Sequence, residues 1–97
     1  MREIPLHYTN KFALVSDEDY ERCARIYWYL KIHRKQKREY VMMSGSLGKR
    51  GMRLHTFIIG KPPDGLVIDH INGNGLDNRR ENLRFVTPKE NARNRHR

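Results

Sequence analysis

One cysteine, Cys23, is present in 97 residues. A single thiol excludes an internal disulfide and any zinc site built from several thiolates, so a reducing compartment fits the chain. Long apolar runs are missing too. None approaches the ~18 residues of a spanning helix, and no stretch is plainly a basic amphipathic helix, which argues against a membrane partner. The opening MREIPLHYTN lacks the apolar centre of a signal peptide, so secretion has no support and a cytoplasmic location is expected. Internal repeats and low-complexity segments are absent. Acidic residues are scarce: 11 Asp and Glu face 20 Lys and Arg, for a net charge of +9 and a pI of about 10.1. That balance points to a polyanionic partner, with nucleic acid ahead of an anionic lipid surface.

What is there suffices for one small domain with one modest core. Lys11 to Val15 reads as a short strand. Ser16 and Asp19, three apart, look like the capping box of a helix whose buried stripe is Tyr20, Cys23, Ala24 and Tyr27. Cys23 is expected to pack rather than react. From Ile26 the period changes to two, with Ile26, Trp28, Leu30 and Ile32 on one face, and EYVMM at 39 to 43 is the expected antiparallel partner. Two basic connections, HRKQKR at 33 to 38 and GSLGKRGMR at 45 to 53, lead on to LHTFIIG. Either could be a solvated charge run. Together they offer Lys35, Lys37, Arg38, Lys49 and Arg50 as backbone contacts for DNA.

After the turn at Lys61 to Gly65 the order is strand, loop, strand, helix. LVID is the first strand, Leu83 to Val86 the second, and Thr87, Pro88 and Glu90 form a helix start with a capping box. The chain thus reads as a single α+β domain: an N-terminal antiparallel sheet with one helix over 1 to 60, then a hairpin and helix over 61 to 97. Asp69 and His70 end the first strand, Asn82 follows twelve residues after His70, and Asn91 lies on the closing helix. Oxygen donors from Asp and Asn suit a hard divalent cation, and a neutral imidazole beside them can take a proton from water. Metal, base and a basic surface are the parts of a phosphodiester hydrolase. Taken singly, Asp69 and His70 suit a surface turn, Asn82 a cap and Asn91 a solvated helix position, while Asn72 and Asn74 before glycine read as turn formers.

Residues Leu54 to Asn94, through IDHINGNGLDNRRENLRFVT and KENARN, resemble the HNH endonucleases of the ββα-metal class, particularly phage-encoded and intron homing enzymes. FALVSDEDYE and WYL look like that branch as well. The resemblance implies a metal-dependent DNA endonuclease that leaves 5′-phosphate and 3′-hydroxyl ends. It implies Asp69 and Asn91 as ligands of Mg2+ or Mn2+, His70 as general base, and Asn82 as the Asn that braces the catalytic loop. Asn91 stands where the last His of the name would be, as in HNN variants. His55 is followed by Thr56 where relatives commonly carry Arg, and the CxxC pairs of many relatives are missing, so no structural zinc is expected. His55 itself reads equally as a core histidine or as a support for the catalytic residues. On the closing helix Lys89, Arg93 and Arg97 share one face and Arg95 shares that of Asn91, which makes Arg95 the first candidate to grip a phosphate, with Arg79 or Arg80 as alternatives. The rival readings are a binding module of the same fold without cleavage, and a protein-interaction domain, which the charge fits poorly. A monomer reading few base pairs fits the length.

Overall fold

The computed structural model describes residues 1–35, 37–43 and 52–93, the side chain of Arg93 excepted. Among the described residues seven short strands and three short α-helices give an α+β architecture. Strands β1 (Arg2–Pro5) and β2 (Phe12–Val15) pair antiparallel, from Arg2 opposite Val15 to Pro5 opposite Phe12. Strands β3 (Trp28–His33) and β4 (Arg38–Met43) form a hairpin, from Trp28 opposite Met43 to His33 opposite Arg38. Strands β5 (Val67–His70) and β7 (Leu83–Val86) form the second hairpin. Between them the two-residue strand β6 (Asp77–Asn78) crosses to the N-terminal sheet and pairs parallel with Leu14 and Val15 of β2. The loop between the hairpin strands is therefore stitched into the sheet that begins the chain.

Ser16 and Asp19 do not close a capping box. A 3-10 turn, Asp17–Asp19, intervenes before helix α1 (Tyr20–Ala24), and neither its Ser16 cap nor the Asp19 cap of α1 makes a side-chain capping bond. Both side chains are spent elsewhere. Ser16 Oγ accepts the Arg80 N–H at 3.0 Å, and the buried Asp19 carboxylate binds Arg80 and Arg22. Burial works against the Asp19 charge, but these two guanidiniums outweigh it and hold its pKa below the usual carboxylate value. The apolar stripe is correspondingly short: Cys23 is buried, whereas Ala24 and Tyr27 are exposed.

LHTFII, which the sequence reading leaves in the sheet-like half, is a helix, α2 (Leu54–Ile59), so this half carries two helices rather than one. Leu54 and Ile58, four apart, are its buried pair. Arg22 reaches the exposed carbonyls at its end, bonding Phe57 O at 3.1 Å and Ile58 O at 3.0 Å. One core runs through all of this: Ile4, Ala13, Val15, Cys23, Trp28, Val41, Leu54, Ile58 and Leu83 are among its members. Trp28 sits at its middle, donating its indole N–H to Cys23 O and meeting Phe57 edge-on. The Cys23 thiol is pushed up to about 11 by burial, as a packing residue requires. Along β3 burial fades from Trp28 to an exposed Ile32, so the strand alternation holds only near the core. Among the described residues no helix is long and apolar enough to cross a membrane.

Candidate active site

Valine, isoleucine and a following Asn-Gly turn make β5 a strand, and its register against β7 sets which side chains face each other across the hairpin. Asp69 stands opposite Arg84 and His70 opposite Leu83. Only 6% of Asp69 is exposed, and Arg84 donates Nε–H to its Oδ2 at 3.0 Å, which fixes the carboxylate's direction. His70 is half-buried and bonded through Nε2 to Asn78 Oδ1 at 3.0 Å. Burial lowers its pKa; the bond to Asn78 and the charges of Asp69 and Asp77 oppose this, and Arg38 adds to it. The imidazole is consequently neutral at neutral pH. The His55 ring lies 5.4 Å away, centroid to centroid.

The loop after His70 is closed by its own amides. Asn72 Oδ1 accepts Asn74 N–H at 2.9 Å, and Asn74 Oδ1 accepts Leu76 N–H at 3.0 Å, the turn-forming bonds expected of both residues. Asn82, in the 3-10 turn Arg80–Asn82 before β7, is 5% exposed. Its Oδ1 accepts Asn72 N–H, its Nδ2 donates to Asn72 Oδ1 and to Asp77 O, and its backbone carbonyl accepts Ile71 N–H. One side chain thus ties both arms of the loop. Asp77 completes the ring, taking Asn72 Nδ2 at 2.9 Å and a two-pronged Arg79 at 2.7 and 2.8 Å. That guanidinium, above all, keeps the Asp77 carboxyl below its usual range.

Helix α3 (Pro88–Arg93) packs on both β5 and β7. Its start is the expected capping box: Thr87 N–H donates to Glu90 Oε1 at 2.9 Å and Glu90 N–H to Thr87 Oγ1 at 3.1 Å. The first helical bond, Asn91 N–H to Thr87 O at 2.9 Å, brings the half-buried Asn91 onto the turn nearest that cap.

The hairpin, its loop and the helix that packs on them lie within the stretch that known sequences match. Residues 57–93 match the family described as HNH endonuclease. An uncharacterised HNH endonuclease of Acanthamoeba polyphaga mimivirus is 38% identical over 89 residues, which is 87% of this chain and 43% of that protein. A second from the same virus is 53% identical over 38 residues, 38% of this chain and 10% of that protein. Through residues 57–93 the chain belongs to the HNH endonuclease family. It spans less than half the length of these relatives. No solved structure matches it.

Within this HNH segment the hairpin and its loop bring together Asp69, His70 and Asn82, and α3 packs Asn91's element onto the same strands. His55 lies on α2, two residues before the matched segment, with Nδ1 and Thr56 Oγ1 3.0 Å apart. Burial, then the nearby His70 and Arg53, drives its pKa down to about 3. Arg79 and Arg80 are engaged inside the fold, Arg79 by Asp77 and Arg80 by Asp19 and Glu18. Lys35 and Lys37 are exposed at the tip of the β3–β4 hairpin, and Arg38, the first residue of β4 after that turn, carries charge that reaches His70. Lys49, Arg50 and Arg95, and the Arg93 side chain, lie outside the described residues. Sequence reasoning passed over Asn78, Asp77 and Arg84. Only Arg84 left a signal, as the basic residue facing Asp69 once the hairpin register is written out.

The donor set suits a hard divalent cation: a carboxylate from Asp69 and an amide oxygen from Asn91 are oxygen ligands, few enough to leave room for water and phosphate. Among the described residues no group of three or more His, Cys, Asp or Glu could hold a metal ion.

Proposed function

We propose that this chain is a divalent-metal-dependent DNA endonuclease module that hydrolyses phosphodiester bonds and leaves 5′-phosphate and 3′-hydroxyl ends. One observation carries the reading: β5 ends in His70 beside the buried Asp69, on the hairpin that α3, the helix bearing Asn91, packs against. Neutral imidazole takes the proton of a water molecule as that water attacks phosphorus, and the bond to the 3′ oxygen breaks. Asp69 and Asn91 would hold Mg2+ or Mn2+, and a bound cation supplies charge compensation for the phosphate and the departing oxygen. Arg84 keeps the Asp69 carboxylate aimed, and Asn82 keeps the loop closed behind His70. The basic excess of the chain supplies attraction for the DNA backbone.

Plasmid nicking with and without Mg2+ or Mn2+ tests this. Cleavage is expected with either ion and none in EDTA, and His70→Ala is expected to lose about two to four orders of magnitude in rate while still binding DNA. Wild-type cutting by His70→Ala would sink the assignment of the base. Metal-independent binding with no cleavage under any condition would make the chain a binding module of the same fold.

A further inference from the structure

The imidazole of His70 can carry its proton on either nitrogen, and only the bare nitrogen can serve as base. Its surroundings decide which. Asn78 is 1% exposed on β6, and its Nδ2 donates to the carbonyl of Gly75 at 3.1 Å. A carbonyl only accepts, so that bond fixes which end of the amide faces away from His70 and which faces it. Oxygen faces His70: Asn78 Oδ1 lies 3.0 Å from Nε2. An amide oxygen also only accepts, so Nε2 must bear the hydrogen and Nδ1 must be bare. Among the described residues no hydrogen bond to Nδ1 competes with this arrangement.

The two groups that orient Asn78 are themselves fixed by distant parts of the chain. A Cβ on Gly75 would lie 1.8 Å from the Glu39 carbonyl oxygen, so the backbone of β4 presses directly on this glycine and no other residue fits. The Asn78 backbone is held in parallel register opposite Val15 of β2. Strand β2 and strand β4 therefore set where the amide stands and where its partner carbonyl stands.

We propose that Asn78 is a positioning residue that sets the tautomer and ring orientation of His70, so that Nδ1 faces the water to be activated; this rests on the nuclease reading above. The relay runs from Gly75 O to Asn78 to His70 Nε2–H. The N-terminal sheet and the β3–β4 hairpin thereby act on a reaction whose matched segment begins only at Phe57.

Imidazole nitrogen NMR on the 15N-labelled full chain, with neither DNA nor metal added, reads the tautomer directly. The wild type is expected to show His70 protonated at Nε2 with a slowly exchanging N–H proton. Asn78→Ala should lose that protected proton, and Asn78→Asp, which keeps an acceptor oxygen, should retain it. In cleavage assays Asn78→Ala should lower kcat about 10- to 100-fold, the usual worth of a group that orients a site residue, with KM for DNA unchanged and partial rescue in Asn78→Asp. A wild-type His70 protonated at Nδ1, or Asn78→Ala cutting at the wild-type rate, overturns the assignment. Should Asn78→Ala fail to fold, the wild-type and Asn78→Asp spectra still decide it. A chain that never cleaves yet shows the Nε2–H signal would defeat the nuclease reading, and with it the catalytic purpose of the relay, while the tautomer assignment held; Nδ1–H in an active enzyme would overturn the relay and leave the nuclease reading intact.

Discussion

His55 is the residue whose chemistry the fold changes most. Its pKa falls from 6.5 to about 3, chiefly because burial disfavours the charged ring, with His70 and Arg53 adding like-charge repulsion. The folded pKa lies below the unfolded one, so between about 6.5 and about 3 the unfolded chain takes up a proton that the folded chain refuses. The stability this contributes is complete above pH 6.5 and is lost as pH falls through that window. His70 is shifted in the same direction and adds to the slope. The paired carboxylates Asp19 and Asp77 start from 3.8 and are lowered, so their losses begin lower and do not overlap the range above pH 4.5. Urea unfolding of the wild type should therefore weaken steadily from pH 6.5 to 4.5, by on the order of 1–3 kcal/mol in total. His55→Gln, which cannot protonate, should flatten much of that slope. An unchanged slope in His55→Gln would show that the ring is as easily charged in the fold as outside it.

At the scale of one element, α3 shows how a few local bonds can govern a site. A helix of only six described residues is marginal by itself, because nucleation fixes several residues for one hydrogen bond. Packing on β5 and β7 supports it, and the reciprocal Thr87 and Glu90 bonds satisfy its first orphan N–H groups. Asn91 sits one turn in, so a frayed start would loosen a proposed metal ligand first. Thr87→Ala should cost about 1 kcal/mol of helix stability. If that loss falls on Asn91, half-maximal nicking should need about fivefold more Mg2+, with metal-free DNA binding unchanged. An unaltered Mg2+ requirement would separate the cap from the metal site. This capping box was legible in the sequence because it depends on residues three apart. The Ser16–Asp19 pair has the same spacing and failed, since Asp19 found Arg80, 61 positions away, a better partner than a helix N–H. Strand β6 was illegible for a related reason: two polar residues, Asp77 and Asn78, carry no period, and their pairing with Leu14 and Val15 is entirely long-range. The candidate site divided the same way. The sequence exposes Asp69, His70, Asn82 and Asn91 by type and spacing, whereas the role of Asn78 depends on β2 and β4.

Across the described part of the molecule, two groups of basic residues stand in different kinds of place. Arg22, Arg79, Arg80 and Arg84 are drawn onto the buried carboxylates Asp19, Asp77 and Asp69, and the Arg80–Asp19 pair joins the N-terminal elements to the segment before β7. Replacing these arginines should disturb folding before it disturbs DNA contact, because it leaves a buried carboxylate without its partner. Lys35 and Lys37 are exposed in the β3–β4 turn, with Lys37 in a left-handed conformation at φ 52°. Arg38 links that turn to the centre, since its charge is felt at His70. A DNA backbone lying across His70 would thus pass near the charge of Arg38, with the two lysines in the turn just before it. Each phosphate neutralised releases counterions and contributes about 0.9 to the slope of log affinity against log salt. Changing Lys35, Lys37 and Arg38 together to Ala should therefore lower duplex affinity and flatten that slope by about 2 to 3. His70→Ala, which removes no cation, should keep the full slope and serves as the control for general damage. The triple variant with an unchanged slope would take this hairpin out of the DNA interface and shift the contact to other basic residues of the chain.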